Sequence, residues 1–261
     1  LPNAASFKHL HPLNTSQLHA MMHFNIPPLT LDEALVWQKI DNLNKPKGSL
    51  GMLEALAFRI CRMQHTLSPT LSHPCHLLFA ADHGIEREGV SVSPRAVTWQ
   101  QMINFTHGGG GVNLFCKQHG FELTLVDMGV DHDLSGHPTI LNRKIANGTR
   151  NFLNEPAMSQ QQMLQALNTG SELAESCNAK GCNVLCLGEM GIGNTSPSSV
   201  WMSLWGNLPL SSCVGSGSGL NTEAKSISWP YSNRPLATSN ANRCPTTTPQ
   251  PSSNILVGSK W

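Results

Sequence analysis

One carboxylate stands inside a glycine-rich bend at residues 183–197, NVLCLGEMGIGNTSP. It is Glu189, with Gly188, Gly191 and Gly193 around it, and the glycines allow tight turns and close approach to a ligand. Val184, Leu185, Cys186 and Leu187 form an apolar run that suits a buried strand of a parallel sheet. Asn194, Thr195 and Ser196 can cap a following helix, and Pro197 suits its first turn. Strand, glycine bend and helix start is how α/β proteins build anion and nucleotide sites. At that tip Glu189 would be delivered into a crevice. The same residues also fit an ordinary strand-to-helix turn with a solvated Glu189, and the spacing alone leaves both open.

A second polar group follows another apolar run. Residues 76–81, HLLFAA, read as a buried strand that ends in Asp82, His83 and Gly84, with Glu86, Arg87 and Glu88 close behind. Polar residues directly after such a strand lie at its carboxyl end, where open α/β sheets bind ligands. Ser93 is placed to cap a helix with Pro94 at its first position, which puts Thr98 and Gln101 in early turns facing the same region or solvent. Gly108 to Gly111 is a run of four glycines. It matches neither phosphate-loop pattern, and in a helical context it points to close packing. The segment 45–51, KPKGSLG, reads first as a basic turn between helices and second as a phosphate contact.

The elements that must hold these groups alternate. Strands are expected at 76–81, 121–127 and 183–188, with a further short strand at 210–220 and an extended piece near 143–146. Helices are expected over 31–43 capped by Thr30 or Asp32, over 50–64 capped by Ser49, from Pro94 to 105, over 158–179 capped by Ser159, and over 198–206. In the first two, Leu31, Leu35, Ile40 and Leu43, then Leu53, Leu56, Ala57 and Ile60, form the apolar faces. The βαβαβ order implies an α/β fold: a Rossmann-like parallel sheet with helices on both faces, plus a small helical portion from the N-terminal region. The expected organisation is an N-terminal arm at 1–30, a helical portion at 31–72, an α/β domain at 73–222 and an irregular tail at 223–261.

Composition narrows the function classes. The 261 residues carry a net charge of +1 with 13% charged residues, which favours neither nucleic acid nor an anionic membrane as partner. No apolar run is long enough to span a bilayer, and the first residues lack the pattern of a secretory signal. The 8 cysteines are scattered and read as reduced, buried thiols of a cytoplasmic protein. The 12 histidines form no HExxH and no paired Cys/His frame, so no metal site is expected. After Glu223 the grammar stops: Ser, Thr, Pro and Asn take more than half of positions 225–261, and no strand–helix unit fits there.

Seven stretches in order, IDNLNKPKGSLGMLEALA, FAADHGIEREGVSVSPRAVTWQQMINF, GGGGVNLF, LVDMGVD, IANGTRNFLNEPAMS, LGEMGIGNTSPSS and CVGSGSGLN, resemble the nicotinate-nucleotide–dimethylbenzimidazole phosphoribosyltransferase family. The resemblance covers about Ile40 to Asn221, and ADHG, VSVSP and GEMGIGNT are distinctive as an ordered set. It implies phosphoribosyl transfer from nicotinate mononucleotide to 5,6-dimethylbenzimidazole in cobalamin assembly, by a homodimer, with no metal or other cofactor. By the same resemblance Glu189 is the carboxylate near the reacting ribose. Ser93 and Gln101 line the benzimidazole pocket, with Asp82 and His83 at the neighbouring strand end. Gly188, Gly191, Asn194 and Thr195, together with Gly215, Gly217 and Gly219, are the phosphate contacts. The family's principal proton-accepting Glu belongs to a C-terminal region for which this chain has no counterpart, so a truncated or frameshifted member is expected. The alternative is a relic that binds nucleotide or benzimidazole without turnover. A generic dehydrogenase is the third reading, weakened because no complete GxGxxG follows the first strand.

Overall fold

The computed structural model describes residues 27–215. Most of the expected arm, the expected tail at 223–261, and Gly217 and Gly219 lie outside the described residues. The chain divides after Thr70 into two compact units.

The first unit is a helix pair, α1 (Glu33–Asp41) and α2 (Met52–Met63). Asp32 caps α1 by accepting from Ala34 N at 2.8 Å. Val36 and Ile40 meet Cys61, with Ala57 and Phe58 packed alongside. The apolar faces are rotated from expectation. Leu35, Leu43 and Leu53 are exposed, while Val36 and Cys61 are inside. The α2 start also differs: Gly51, with φ 53°, is its N-cap in place of Ser49. Residues 45–51 form the turn favoured for them. Lys45 is bound to the buried Glu54 at 2.8 Å and Lys47 to Asp41 at 2.8 Å.

The second unit is built on four parallel strands among the described residues: β1 (Cys75–Ala81), β2 (Glu122–Gly129), β3 (Ile140–Asn142) and β4 (Leu185–Met190), in the order β3-β2-β1-β4. Its helices are α3 (Val97–Thr106), α4 (Gly111–His119), α5 (Gln160–Ala179), α6 (Thr195–Gly206) and the short α7 (Leu210–Cys213). Successive strand residues point to opposite faces, and β1 shows it. Leu78 and Ala80 pack with Leu125 and Met102 of α3. Cys75 and Leu77 pack with Val126 and with Leu173 and Cys177 of α5. Helices therefore cover both faces, as the alternation implies.

Three differences from the sequence reading concern pairing. The expected strand at 210–220 begins instead as α7, where Pro209 opens a turn closed by Val214 N donating to Leu210 O at 3.1 Å. The extended piece lies earlier, at β3, and backbone bonds from Arg143 and Ile145 to Asp127 and Met128 continue it along β2. β4 is not buried. Among the described residues it pairs with β1 alone and stands at the sheet edge, and Leu187 is 68% exposed. Nor does α6 bury any residue. Two residues of the glycine run pack closely: a side chain at Gly109 would strike the Asn104 side chain and one at Gly110 would fall 2.4 Å from the Phe105 ring, whereas carbons on Gly108 and Gly111 would meet nothing within 4 Å.

Candidate active site

Glu189 is the penultimate residue of β4, level with Phe79 of β1. Phe79 packs against the α5-side core, so Glu189 shares that face of the sheet. Its two carboxylate oxygens have different partners. His83 Nε2 lies 3.4 Å from Oε1, and the Asn194 side-chain amide donates to Oε2. Asn194, expected to cap the helix that follows, turns its side chain back to hold the carboxylate, and α6 begins without a side-chain cap. Glu189 remains 47% exposed on its side chain, open to solvent or ligand.

Tertiary contacts shape the bend behind Glu189. The buried Thr98 hydroxyl of α3 accepts from Ile192 N at 3.1 Å. At Gly191 a side-chain carbon would lie 2.2 Å from Ala81 O, 2.8 Å from Glu189 Oε1 and 3.0 Å from His83 Cδ2. Only hydrogen fits there. Gly193 takes φ +90°, the left-handed region that favours glycine. Gly188 has a different reason for being small: a carbon on it would sit 2.5 Å from the buried Nε2 of His76, on the α3 side of the sheet. Burial lowers the His76 pKa, because the low-dielectric surroundings disfavour the imidazolium.

His83 stands at the start of the 3-10 turn Gly84–Glu88. Gly84 N donates to the Thr149 hydroxyl at 3.0 Å, and a side chain at Gly84 would strike the backbone of Arg150 at 2.5 Å. Asn151 Nδ2 donates to Glu88 Oε1 at 2.5 Å. The loop after β3 thus braces the turn that aims His83.

Asp82 lies within the structure, only 1% exposed. Its Oδ2 accepts from Asp131 N at 2.7 Å, and Arg95 Nε lies 3.3 Å from Asp131 and 3.9 Å from Asp82. A buried carboxylate needs such a partner, and here the pairing ties the tips of β1 and β2 to the start of α3. A second buried pair works beside it. Lys144 Nζ donates to Val130 O at 2.5 Å and His132 O at 2.6 Å and lies 3.3 Å from Asp127.

The remaining candidates have other partners or none that bears on Glu189. Ser93 does not cap α3, whose N-cap is Ala96; its amide donates to Ser91 Oγ at 3.2 Å. Gln101 accepts from Asn104 Nδ2 at 3.2 Å. Thr195 is the exposed first residue of α6, and Gly215 is exposed at the end of the described residues. Glu189, His83, Asn194 and Gly191 are brought together; Asp82 stands behind them. Sequence reading misses Arg95, Lys144, His76 and Thr149, whose partners lie far along the chain. Among the described residues no helix is long and apolar enough to cross a membrane.

A family model described as phosphoribosyltransferase matches residues 30–228. The nicotinate-nucleotide–dimethylbenzimidazole phosphoribosyltransferase of Phocaeicola vulgatus is 57% identical over 201 residues, covering 77% of this chain and 58% of that protein. The enzyme of the same name from Bacteroides fragilis is 56% identical over 195 residues, covering 75% and 56%. The crystal structure of CobT from Thermus thermophilus is similar with a TM-score of 0.73 and 35% identity, over 77% of this chain and 61% of that one. The match to these curated relatives therefore spans a little over half of their length.

Proposed function

The chain belongs to the phosphoribosyltransferase family, and from that membership we propose that it moves the phosphoribosyl group of nicotinate mononucleotide to 5,6-dimethylbenzimidazole. The product is α-ribazole 5′-phosphate, and the step serves assembly of the cobalamin nucleotide loop. The observation that carries the reading is the Glu189 carboxylate, held at a strand tip by His83 and Asn194 beside a glycine bend.

The chemistry follows from the proposed reaction, with Glu189 in the role its placement allows. A benzimidazole nitrogen attacks the ribose C1′. The bond from C1′ to the pyridinium nitrogen breaks, and its electron pair returns to the ring, so nicotinate leaves. The attacking base becomes cationic and loses its N–H proton to Glu189. The exchange balances without a cofactor or metal. Holding both reactants in line supplies most of the acceleration, and a positioned base adds about 10²–10⁴-fold. The Gly191–Thr195 bend and the start of α6 take the phosphate, where a helix N-terminus favours negative charge. Ser93 and Gln101 border the acceptor base. Asp82 acts through the loops it ties together.

The α6 face bearing Trp201, Leu204 and Trp205 is exposed, and it supports a homodimer. The free thiols among the described residues suit a cytoplasmic setting. The test is to incubate the purified chain with nicotinate mononucleotide and dimethylbenzimidazole and to follow nicotinate release. Turnover that Glu189→Gln lowers by about 10²–10⁴-fold supports the reading. Saturable binding of both substrates without turnover would replace it with a binding protein.

A further inference from the structure

The turn that ends α5 carries two thiols that the transfer chemistry does not use. Gly181 closes the helix in the left-handed region, at φ +86°. Its amide donates to Asn178 O at 2.9 Å, and Cys182 N donates to Cys177 O at 3.1 Å. These are the two bonds of a Schellman motif, in which the residue after the glycine commonly packs an apolar side chain back onto the last turn. Here both contact positions are cysteine, and Cys177 and Cys182 share one buried cluster. We propose that Cys177 and Cys182 form a reversible disulfide, an oxidation site that staples the end of α5 to the chain entering β4. This site is independent of the transfer reading.

Reach is the first argument. A disulfide needs Cα atoms about 4.4–6.8 Å apart. The 3.1 Å bond from Cys182 N to Cys177 O joins the backbones of the two cysteines themselves. Each of its atoms lies about 1.5–2.4 Å from its own Cα, so even a straight path holds the two Cα atoms within about 7 Å. The turn bends that path shorter. Gly181 fixes the turn, and a carbon on it would sit 3.3 Å from the His73 ring.

The choice of partner is the second. Cys75, at the start of β1, lies in the same cluster. It is level with Leu185, three residues beyond Cys182, and the pairing runs back through Asn183 N donating to Ser72 O at 3.1 Å. At about 3.3 Å per strand residue, the Cα atoms of Cys75 and Cys182 are offset by roughly 10 Å, too far to bridge. Burial, with the Cys182 and Cys177 thiols in contact, pushes the Cys75 pKa up to about 12. Cys75 therefore stays a thiol, whereas exchange needs a thiolate. Cys186 is nearest to Cys182 in sequence, but it is level with His76, next to Cys75 on β1, and so faces the other side of the sheet.

Access and chemistry complete the case. Cys177 and Cys182 are buried beneath the exposed residues Asn178 to Gly181. A helix end opens locally at low cost, which admits a small oxidant, here a low-molecular-weight disulfide. One thiol of the pair gives its proton to water, and its thiolate attacks a sulfur of that disulfide. The small disulfide's S–S bond breaks, and one small thiolate leaves and takes up a proton. The other cysteine, as thiolate, then attacks the mixed disulfide, forms the Cys177–Cys182 bond and expels the second small thiol. Two cysteine thiols are oxidised and one small disulfide is reduced to two thiols. An excess of small thiol runs the same steps backwards.

The test uses the full chain, reduced and then equilibrated without denaturant in set ratios of glutathione disulfide to glutathione. Remaining thiols are blocked with N-ethylmaleimide, and trypsin cuts after Lys180, between the two cysteines. Only a disulfide then keeps the two peptides joined, and fragmentation in a mass spectrometer locates the sulfurs. The expected result is a Cys177–Cys182 link that dithiothreitol removes, with the melting temperature raised by about 4–8 °C while the link is present. Cys75→Ser keeps the link, and Cys177→Ser loses both the link and the shift. Should a variant fail to fold, the mapping on the parent chain decides by itself. In the urea-unfolded chain the shorter Cys182–Cys186 loop competes, so its absence from the folded chain reports the fold. The proposal is overturned by a folded-chain link from Cys75 or Cys186 to either cysteine, by glutathione adducts alone, or by no oxidation at the most oxidising ratio. A linked chain that melts no higher than the reduced one overturns it as well.

Discussion

Replacing Gly191 with alanine tests the geometry that seats Glu189. The added carbon would lie 2.2 Å from Ala81 O. An unstrained carbon–oxygen approach is about 3.3–3.6 Å, so the bend or the carbonyl must move by roughly 1 Å. The carbonyl has little freedom, because Ala81 ends β1 in register with Gly129 and the next amide, Asp82 N, donates to Gly129 O at 3.0 Å. The bend moves instead, against its bond from Ile192 N to Thr98. Overpacking of this kind costs about 1–3 kcal/mol. Glu189 Oε1, 2.8 Å from the same carbon, is displaced too, and a misplacement of about 1 Å at a reacting centre costs about 10²-fold in rate. Urea unfolding followed by tryptophan fluorescence should show a lower midpoint at unchanged slope, and nicotinate release should fall in proportion to the displacement. Gly111→Ala is the control: its carbon meets nothing within 4 Å at the first position of α4, and a helical alanine gains up to about 1 kcal/mol over glycine. Equal midpoints for Gly191→Ala and the parent chain, with Gly111→Ala raised, would refute the seating of the bend against β1.

Other consequences are as direct. Thr98→Val leaves the buried Ile192 N–H without its acceptor and lowers stability by about 1–3 kcal/mol, whereas Thr98→Ser keeps most of it; urea midpoints of the two separate a lost bond from lost packing. His76 is half-buried with its pKa below the ordinary 6.5. On acidification the unfolded chain takes up this proton first, so the His76 contribution is fully present above about pH 6.5 and is lost as pH falls from there towards the lowered folded value. Melting temperatures between about pH 7.5 and 5.5 should fall less in His76→Gln than in the parent chain. The exposed Trp201 and Trp205 rings lie 5.1 Å apart, and Trp205 is 80% exposed. If this face joins two copies of the chain, as proposed above, changing both to serine should raise the dissociation constant of the pair by about tenfold or more in sedimentation velocity.

Much of the fold was legible because its causes are local. Apolar runs bounded by polar residues marked β1, β2 and β4, and Ser159 marked the start of α5, where its hydroxyl accepts from Gln162 N at 3.2 Å. The glycine bend around Glu189 showed as a strand-to-helix turn, and Asn194 as a polar residue of the helix start. The faces of α1 and α2 were harder to read, since both helices carry apolar residues on more than one side and only their mutual contact selects Val36, Ile40 and Cys61. The edge position of β4 has a similar cause. An apolar strand looks the same in a sheet centre and at its edge, because burial depends on neighbours that the strand does not encode.

What the sequence by itself determined was the alternation of strands and helices, the glycine-rich setting of Glu189, and the ordered motifs of its family. These rest on periodicity, backbone preference and residue type, all of which act within a few positions. The tertiary structure alone decided that His83, 106 residues away, would share the Glu189 carboxylate. It also turned Asp82 inward onto Arg95, set His76 behind Gly188, and opened a pocket where the tips of β1 and β2 meet α5. Those outcomes depend on strand register and on which loops meet at the sheet's carboxyl edge. Each is a contact between distant segments, and its energy appears only when the whole sheet has been assembled.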